Sequence, residues 1–145
     1  MKFIGNAEGF FDNEHNIQHP VELEDDSYQI LDYVDGEWVK LGSVQYNKKL
    51  LRKKKEFRFF LHDEYVGSYF KTDGEEELQY GKLRLESKHL GMSFSIIEGK
   101  KKIKADVQCH IGDFQQYITV YDKEVIYPVL MVCLAKRLDL YKSLT

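Results

Sequence analysis

The chain has 145 residues, 43% of them hydrophobic and 31% charged, and a formal net charge of −3. That composition can build a core, so it excludes a disordered tail, and 10 Gly with 2 Pro exclude collagen-like and Pro-rich chains. The charge is uneven: residues 1–37 carry one Lys and ten acids, whereas residues 38–104 carry sixteen Lys or Arg and nine acids.

A chain of this length is expected to form one domain over 1–145. Met1 to Glu8 contains no long apolar run, so no secretory signal is expected. The longest apolar run, Val129 to Ala135, is far short of the roughly 18 residues that suggest a membrane span. A cytoplasmic location follows as the expectation, and with it two reduced, buried thiols, Cys109 and Cys133.

Residues 1–27 form an acidic N-terminal segment with little periodicity. Phe3, Ile4, Phe10 and Phe11 suit one edge strand, and Glu22 to Asp26 a solvated loop. His15 and His19 have the i,i+4 spacing of a helical metal pair. Gly9, Asn13, Asn16 and Pro20 disfavour a helix there, and no third ligand is in view, so no metal site is expected.

Residues 28–121 read as antiparallel strands. Tyr28 to Val34 and Trp38 to Tyr46 flank Asp35-Gly36, a two-residue hairpin signal. Glu56 to His62 and Tyr65 to Lys71 flank Asp63-Glu64, and Thr72-Asp73-Gly74 marks the next turn. Leu78 to Glu86 reads as one strand with a bulge at Gly81, and Met92 to Ile97 follows. In Lys102 to Ile111, alternation predicts Ile103, Ala105, Val107, Cys109 and Ile111 inside, with Lys102, Lys104, Asp106, Gln108 and His110 outside. Gly112-Asp113 turns the chain into Phe114 to Tyr121.

Residues 128–143 change pattern to a helix begun by Pro128. Val129 to Ala135 is apolar on every side, so that part must be surrounded by protein, and Leu138, Tyr141 and Leu144 continue an apolar stripe. Lys136, Arg137 and Asp139 predict that the C-terminal end emerges into water. The expected architecture is mainly β: seven or eight antiparallel strands in a barrel of meander hairpins that encloses a hydrophobic C-terminal α-helix.

The residues Tyr117-Ile118-Thr119-Val120-Tyr121, then Tyr127-Pro128 and the apolar run to Ala135, resemble the tubby C-terminal-like superfamily. So does the hairpin Phe57 to Phe70. That group includes tubby proteins, LURP-one-related proteins, phospholipid scramblases and small bacterial tubby-like proteins. The resemblance implies a closed barrel with a helix threaded through it, and no phosphoinositide-binding residue carries over, because no position matches a specific motif.

Chemistry-bearing patterns are few. Glu24-Asp25-Asp26 and Glu75-Glu76-Glu77 read as solvated acidic loops. No Gly-rich phosphate loop, nucleophile elbow or His-Glu-x-x-His motif is present, so neither enzymatic activity nor a cofactor is expected. Trp38 and the other aromatics read as core packing rather than cavity lining. The strongest signal is basic: Lys48, Lys49, Arg52, Lys53, Lys54 and Lys55, and then Lys100, Lys101, Lys102 and Lys104. If the two loops share one end of the barrel, they form a patch for anionic membrane lipid or an acidic protein surface. Leu50 and Leu51 would dip into the interface. Without aromatic interleaving, nucleic acid is a poor fit. Two alternatives remain: a protein-interaction adaptor or small inhibitor using its acidic N-terminal or basic central surface, and a calycin-like barrel that binds a small molecule.

Overall fold

The computed structural model describes residues 1–47, 54–88, 93–100, 102–109 and 115–144. Twelve antiparallel strands among these residues form one sheet. They are β1 (Lys2–Asn6), β2 (Gly9–Phe11), β3 (Ile17–Glu24), β4 (Ser27–Val34), β5 (Glu37–Tyr46), β6 (Lys55–Leu61), β7 (Glu64–Thr72), β8 (Glu75–Gln79), β9 (Leu83–Lys88), β10 (Ser93–Glu98), β11 (Lys102–Cys109) and β12 (Gln116–Val120). A 3-10 turn, Lys123–Val125, leads into α1 (Ile126–Leu144).

The sheet order is β8-β7-β6-β5-β4-β3-β2-β1-β12-β11-β10-β9. It is a meander whose first strand pairs with its last, because Lys2 to Gly5 meets Thr119 to Gln116. The sheet curls into a nearly closed barrel with its seam between β8 and β9. These strands are consecutive in the chain, yet no strand ladder joins them among the described residues; the Tyr80–Leu83 bridge and a hydrogen bond from the Ser87 hydroxyl to Glu76 link them.

Strand count is the main departure from the sequence reading. Residues 1–27 contain β1, β2 and all of β3, and Phe3 and Phe10 are core residues of interior strands rather than of one edge strand. Glu22 to Glu24, expected in a loop, pair with β4, and the turn itself is Asp25-Asp26. Gly81, with φ +55, makes a tight turn that splits Leu78 to Glu86 into two strands. The Asp35-Gly36 hairpin forms as expected, with φ values of 50 and 84 that suit Asp and Gly.

The helix fills the barrel. Val129 through Ala135 are at most 1% exposed, because strands face them from all directions. Burying a large apolar side chain contributes roughly 1.5–3 kcal/mol, so Val129, Leu130, Met131, Val132 and Leu134 together contribute on the order of 10 kcal/mol. Gly42 lets β5 approach: a Cβ there would lie 2.3 Å from the Phe60 carbonyl oxygen and 3.1 Å from Met131 Cε.

Candidate functional site

Antiparallel connectivity sorts the hairpins between two ends of the barrel. Met1, the β2–β3, β4–β5, β6–β7, β8–β9 and β10–β11 connections, and the start of α1 lie at the end where the helix enters. The β3–β4 and β7–β8 connections, the end of β5, the start of β6, the end of β9 and the start of β10 lie at the end where the helix exits. Lys54 and Lys55 open β6 at the exit end, whereas Lys100 and Lys102 flank the β10–β11 turn at the entry end. Among the described residues, Lys54 and Lys55 therefore do not meet Lys100, Lys102 and Lys104. Lys48, Lys49, Leu50, Leu51, Arg52, Lys53 and Lys101 lie outside the described residues, but Asn47 and Lys54, which bracket residues 48–53, are both at the exit end.

The individual lysines differ. Lys54, Lys100 and Lys102 are exposed, and the Lys54 ammonium sits 4.4 Å from the centre of the Phe70 ring. Lys104, expected on the solvent face and as an anion ligand, is only 6% exposed. It donates to Asp122 at 2.5 Å, lies 3.3 Å from Glu98, and is spoken for by both. The hydrogen bond to Asp122 raises its pKa, with burial opposing it and Glu98 adding to the rise. The physical reason is a register irregularity between Ile96 and Ile97, which pair with Ala105 and Ile103. It reverses the alternation and leaves Ile103, expected inside, 45% exposed. From Ala105 to Gln108 the predicted facing holds, and Cys109 is half-buried. His110 and Ile111 lie outside the described residues.

Inside the exit end lies an ionic collar that the sequence reading missed. Lys55, Lys71 and Glu76 stand directly opposite one another across β6, β7 and β8. From the helix, Lys136 and Asp139 meet them. Lys55 and Lys71 donate to the two Asp139 oxygens at 2.8 and 2.7 Å. Lys136 donates to Glu76 at 2.5 Å, and the Tyr69 hydroxyl donates to the same oxygen at 2.5 Å. Lys136 and Asp139 are each only 4% exposed, so the helix does not emerge into water at these residues. Arg137 is also drawn in, donating to Gln116 at 3.1 Å, while Gln116 donates to the Cys133 carbonyl at 3.1 Å.

The charges are tuned by this packing. Burial raises the Glu76 pKa, but the Lys136 ammonium and the Ser87 and Tyr69 hydroxyls outweigh it, so the net shift is down. Burial likewise opposes ionisation of Asp139, and the hydrogen bonds from Lys55 and Lys71 bring its pKa below the ordinary value. Burial lowers the Lys136 pKa, with Glu76 pulling the other way. Each collar charge is thus engaged by an opposite one, and the arrangement fastens the helix to the strand beside the seam rather than presenting an acid or base to solvent.

Two clefts lie at the exit end. One of about 450 Å³ is lined by Glu24, Asp25, Asp26, Ser27, Gln45 and Tyr46, and one of about 110 Å³ by Lys54, Phe70, Thr72 and Glu75 to Glu77. Glu75 to Glu77 form the start of β8 rather than a loop. His19 is in a strand, with Nδ1 donating to the Leu31 carbonyl at 3.0 Å, and His15 is in the β2–β3 turn with φ 66, so the helical metal pair does not form. No helix among the described residues is long and apolar enough to cross a membrane.

Strand order, closure and the interior helix define the class: an antiparallel β-barrel threaded by a C-terminal α-helix. A solved structure shares it. The X-ray structure of a protein from Arabidopsis thaliana, AT5G01750, superposes with a TM-score of 0.62 over 95% of this chain and 90% of that one, at 12% identity. At that identity the likeness is one of fold. No protein-family model matches the chain, and no curated protein matches it.

Proposed function

We propose that the chain is a tubby-like, non-enzymatic barrel that acts in the cytoplasm and associates peripherally with anionic membrane lipid through its helix-exit end. The observation that supports this reading is that Asn47 and Lys54, which bracket residues 48–53 in the chain, both lie at that end, with Lys54 exposed and Lys55 held by Asp139. A flat membrane meets one end of a barrel at a time, so the two basic clusters do not add. Leaving out Lys55, the 48–55 run retains Lys48, Lys49, Arg52, Lys53 and Lys54. At on the order of 1 kcal/mol each near an anionic surface, these five offer more than Lys100, Lys101 and Lys102 do. The plugged interior disfavours a calycin-like ligand site.

Co-sedimentation with phosphatidylcholine vesicles, with and without phosphatidylserine, tests the proposal. Lys53→Gln with Lys54→Gln is expected to weaken anionic-vesicle partition about thirtyfold, while Lys100→Gln with Lys102→Gln leaves it nearly unchanged. Absence of anionic-vesicle binding at low salt refutes the proposal. An equal loss in both double variants refutes the choice of end.

A further inference from the structure

At the opposite end, the β4–β5 hairpin leaves the barrel. Pairing of β4 with β3 stops at Ile30, and pairing of β5 with β6 stops at Gly42. Leu41 is left between the Ile30–Gly42 and Leu31–Lys40 pairs, a bulge at the point of departure. Beyond it, residues 31–40 form a two-stranded ribbon that projects about 13 Å, at about 3.3 Å per residue.

Every residue from Tyr33 to Lys40 is exposed. Four of them are large and apolar: Tyr33 at 58%, Val34 at 45%, Trp38 at 43% and Val39 at 38%. Trp38, expected in the core, instead packs edge-on against Tyr33 across the ribbon, with ring centres 5.0 Å apart. Register puts these two rings on one face, while Val34 and Val39 share the other with Asp32 and Glu37. Contiguous exposed apolar surface bounded by charge is the mark of a contact site. The charge at the tips is mainly acidic, with Arg58 stacked on Tyr65 at 4.8 Å. The ribbon carries Asp32, Asp35 and Glu37, and the adjacent β6–β7 tip adds Asp63, Glu64 and the 48%-exposed Tyr65. Lys40, 3.3 Å from Asp63, joins the two tips at their base.

We infer that this ribbon is a docking surface for a partner protein that presents a segment of Lys or Arg interspersed with apolar side chains. The aromatic pair supplies the apolar anchor, and the acids on the two tips supply the charge complement. The surface lies at the barrel end opposite the proposed lipid contact, so the inference stands independently of that proposal.

Trp38 is the single Trp of the chain, so its fluorescence reports this ribbon directly. The probe is a synthetic peptide alternating Lys and Leu, with an alternating Glu and Leu peptide as control. Blue-shifted Trp38 emission with the Lys peptide alone, weakening as salt rises, is expected. By anisotropy of the labelled peptide, Trp38→Ser is expected to weaken binding about thirtyfold. Asp35→Asn with Glu37→Gln is expected to weaken it about tenfold and flatten the salt dependence. The charge variant keeps Trp38, so the test stands even where Trp38→Ser lowers stability. Equal binding of the two peptides, or binding unchanged in both variants, would overturn the inference. So would salt-sensitive self-association of the chain alone that is lost in Trp38→Ser, which would put a second copy on the ribbon. Blue-shifted emission with phosphatidylcholine vesicles would overturn it in favour of a membrane.

Discussion

Replacing Lys136 by Met strands a carboxylate inside the barrel. The Lys136 and Glu76 side chains are 3% and 10% exposed, so water cannot stand in for the missing ammonium. Breaking a buried pair from one side costs about 3–5 kcal/mol, whereas an exposed pair is worth about 0–1. For a chain near 150 residues that is a fall in Tm of about 10–15 °C. Urea denaturation followed by far-UV circular dichroism measures it. Adding Glu76→Gln removes the stranded charge while keeping an acceptor for the Tyr69 and Ser87 hydroxyls, so the double variant is expected to recover more than half of the loss. The pH dependence gives an independent check. Without Lys136, burial lifts the Glu76 pKa above its unfolded value, so the deficit of Lys136→Met shrinks as pH falls towards the ordinary carboxylate range and the carboxyl takes up a proton. A single-variant cost below about 1 kcal/mol, or no rescue by Glu76→Gln, would show that the pair is hydrated and would refute the collar as a clamp.

Further outcomes follow from the same packing. Leu134→Ala, at a residue 1% exposed on the helix, is expected to cost about 2–5 kcal/mol by calorimetry. Removing residues 128–145 discards on the order of 10 kcal/mol of burial from a total of about 5–15, so a cooperatively folded truncated chain would refute the threaded helix. In the intact chain the Glu76 and Asp139 pKa values lie below their ordinary 4.5 and 3.8. The stability they contribute is therefore complete above those values and lost as pH falls through the lower, folded ones, which acid titration followed by circular dichroism would reveal. Burial pushes the Cys133 thiol up to about 12, so alkylation of the native protein should spare Cys133 until global unfolding.

Much of the architecture was legible because periodicity is a local property. Hairpin turns such as Asp35-Gly36 announce themselves in two residues, and Val129 to Ala135 demands a protein environment on all sides whatever surrounds it. The N-terminal strands were not legible: β1 and β2 are five and three residues long and take their stability from neighbours distant in sequence. Glu76 was hidden inside an acidic run. Parity carried its only signal, since counting back by two from buried Leu78 and forward by two from buried Tyr69 puts Glu76 and Lys71 on the inner face.

Charge was the part that sequence order could not place. Lys136 and Asp139 look like a solvated helix end until Glu76, Lys55 and Lys71 are brought to them from 60, 84 and 68 residues away. Lys54 and Lys100 look alike until the number of strands between them assigns them to opposite ends. Trp38 looks like core until pairing of β4 and β5 with their neighbours ends at Ile30 and Gly42 and leaves it on a free ribbon. Alternation and turn chemistry act between neighbours along the chain and so can be read from it. Burial and pairing act between residues that meet only on barrel closure, and only the tertiary structure decides them.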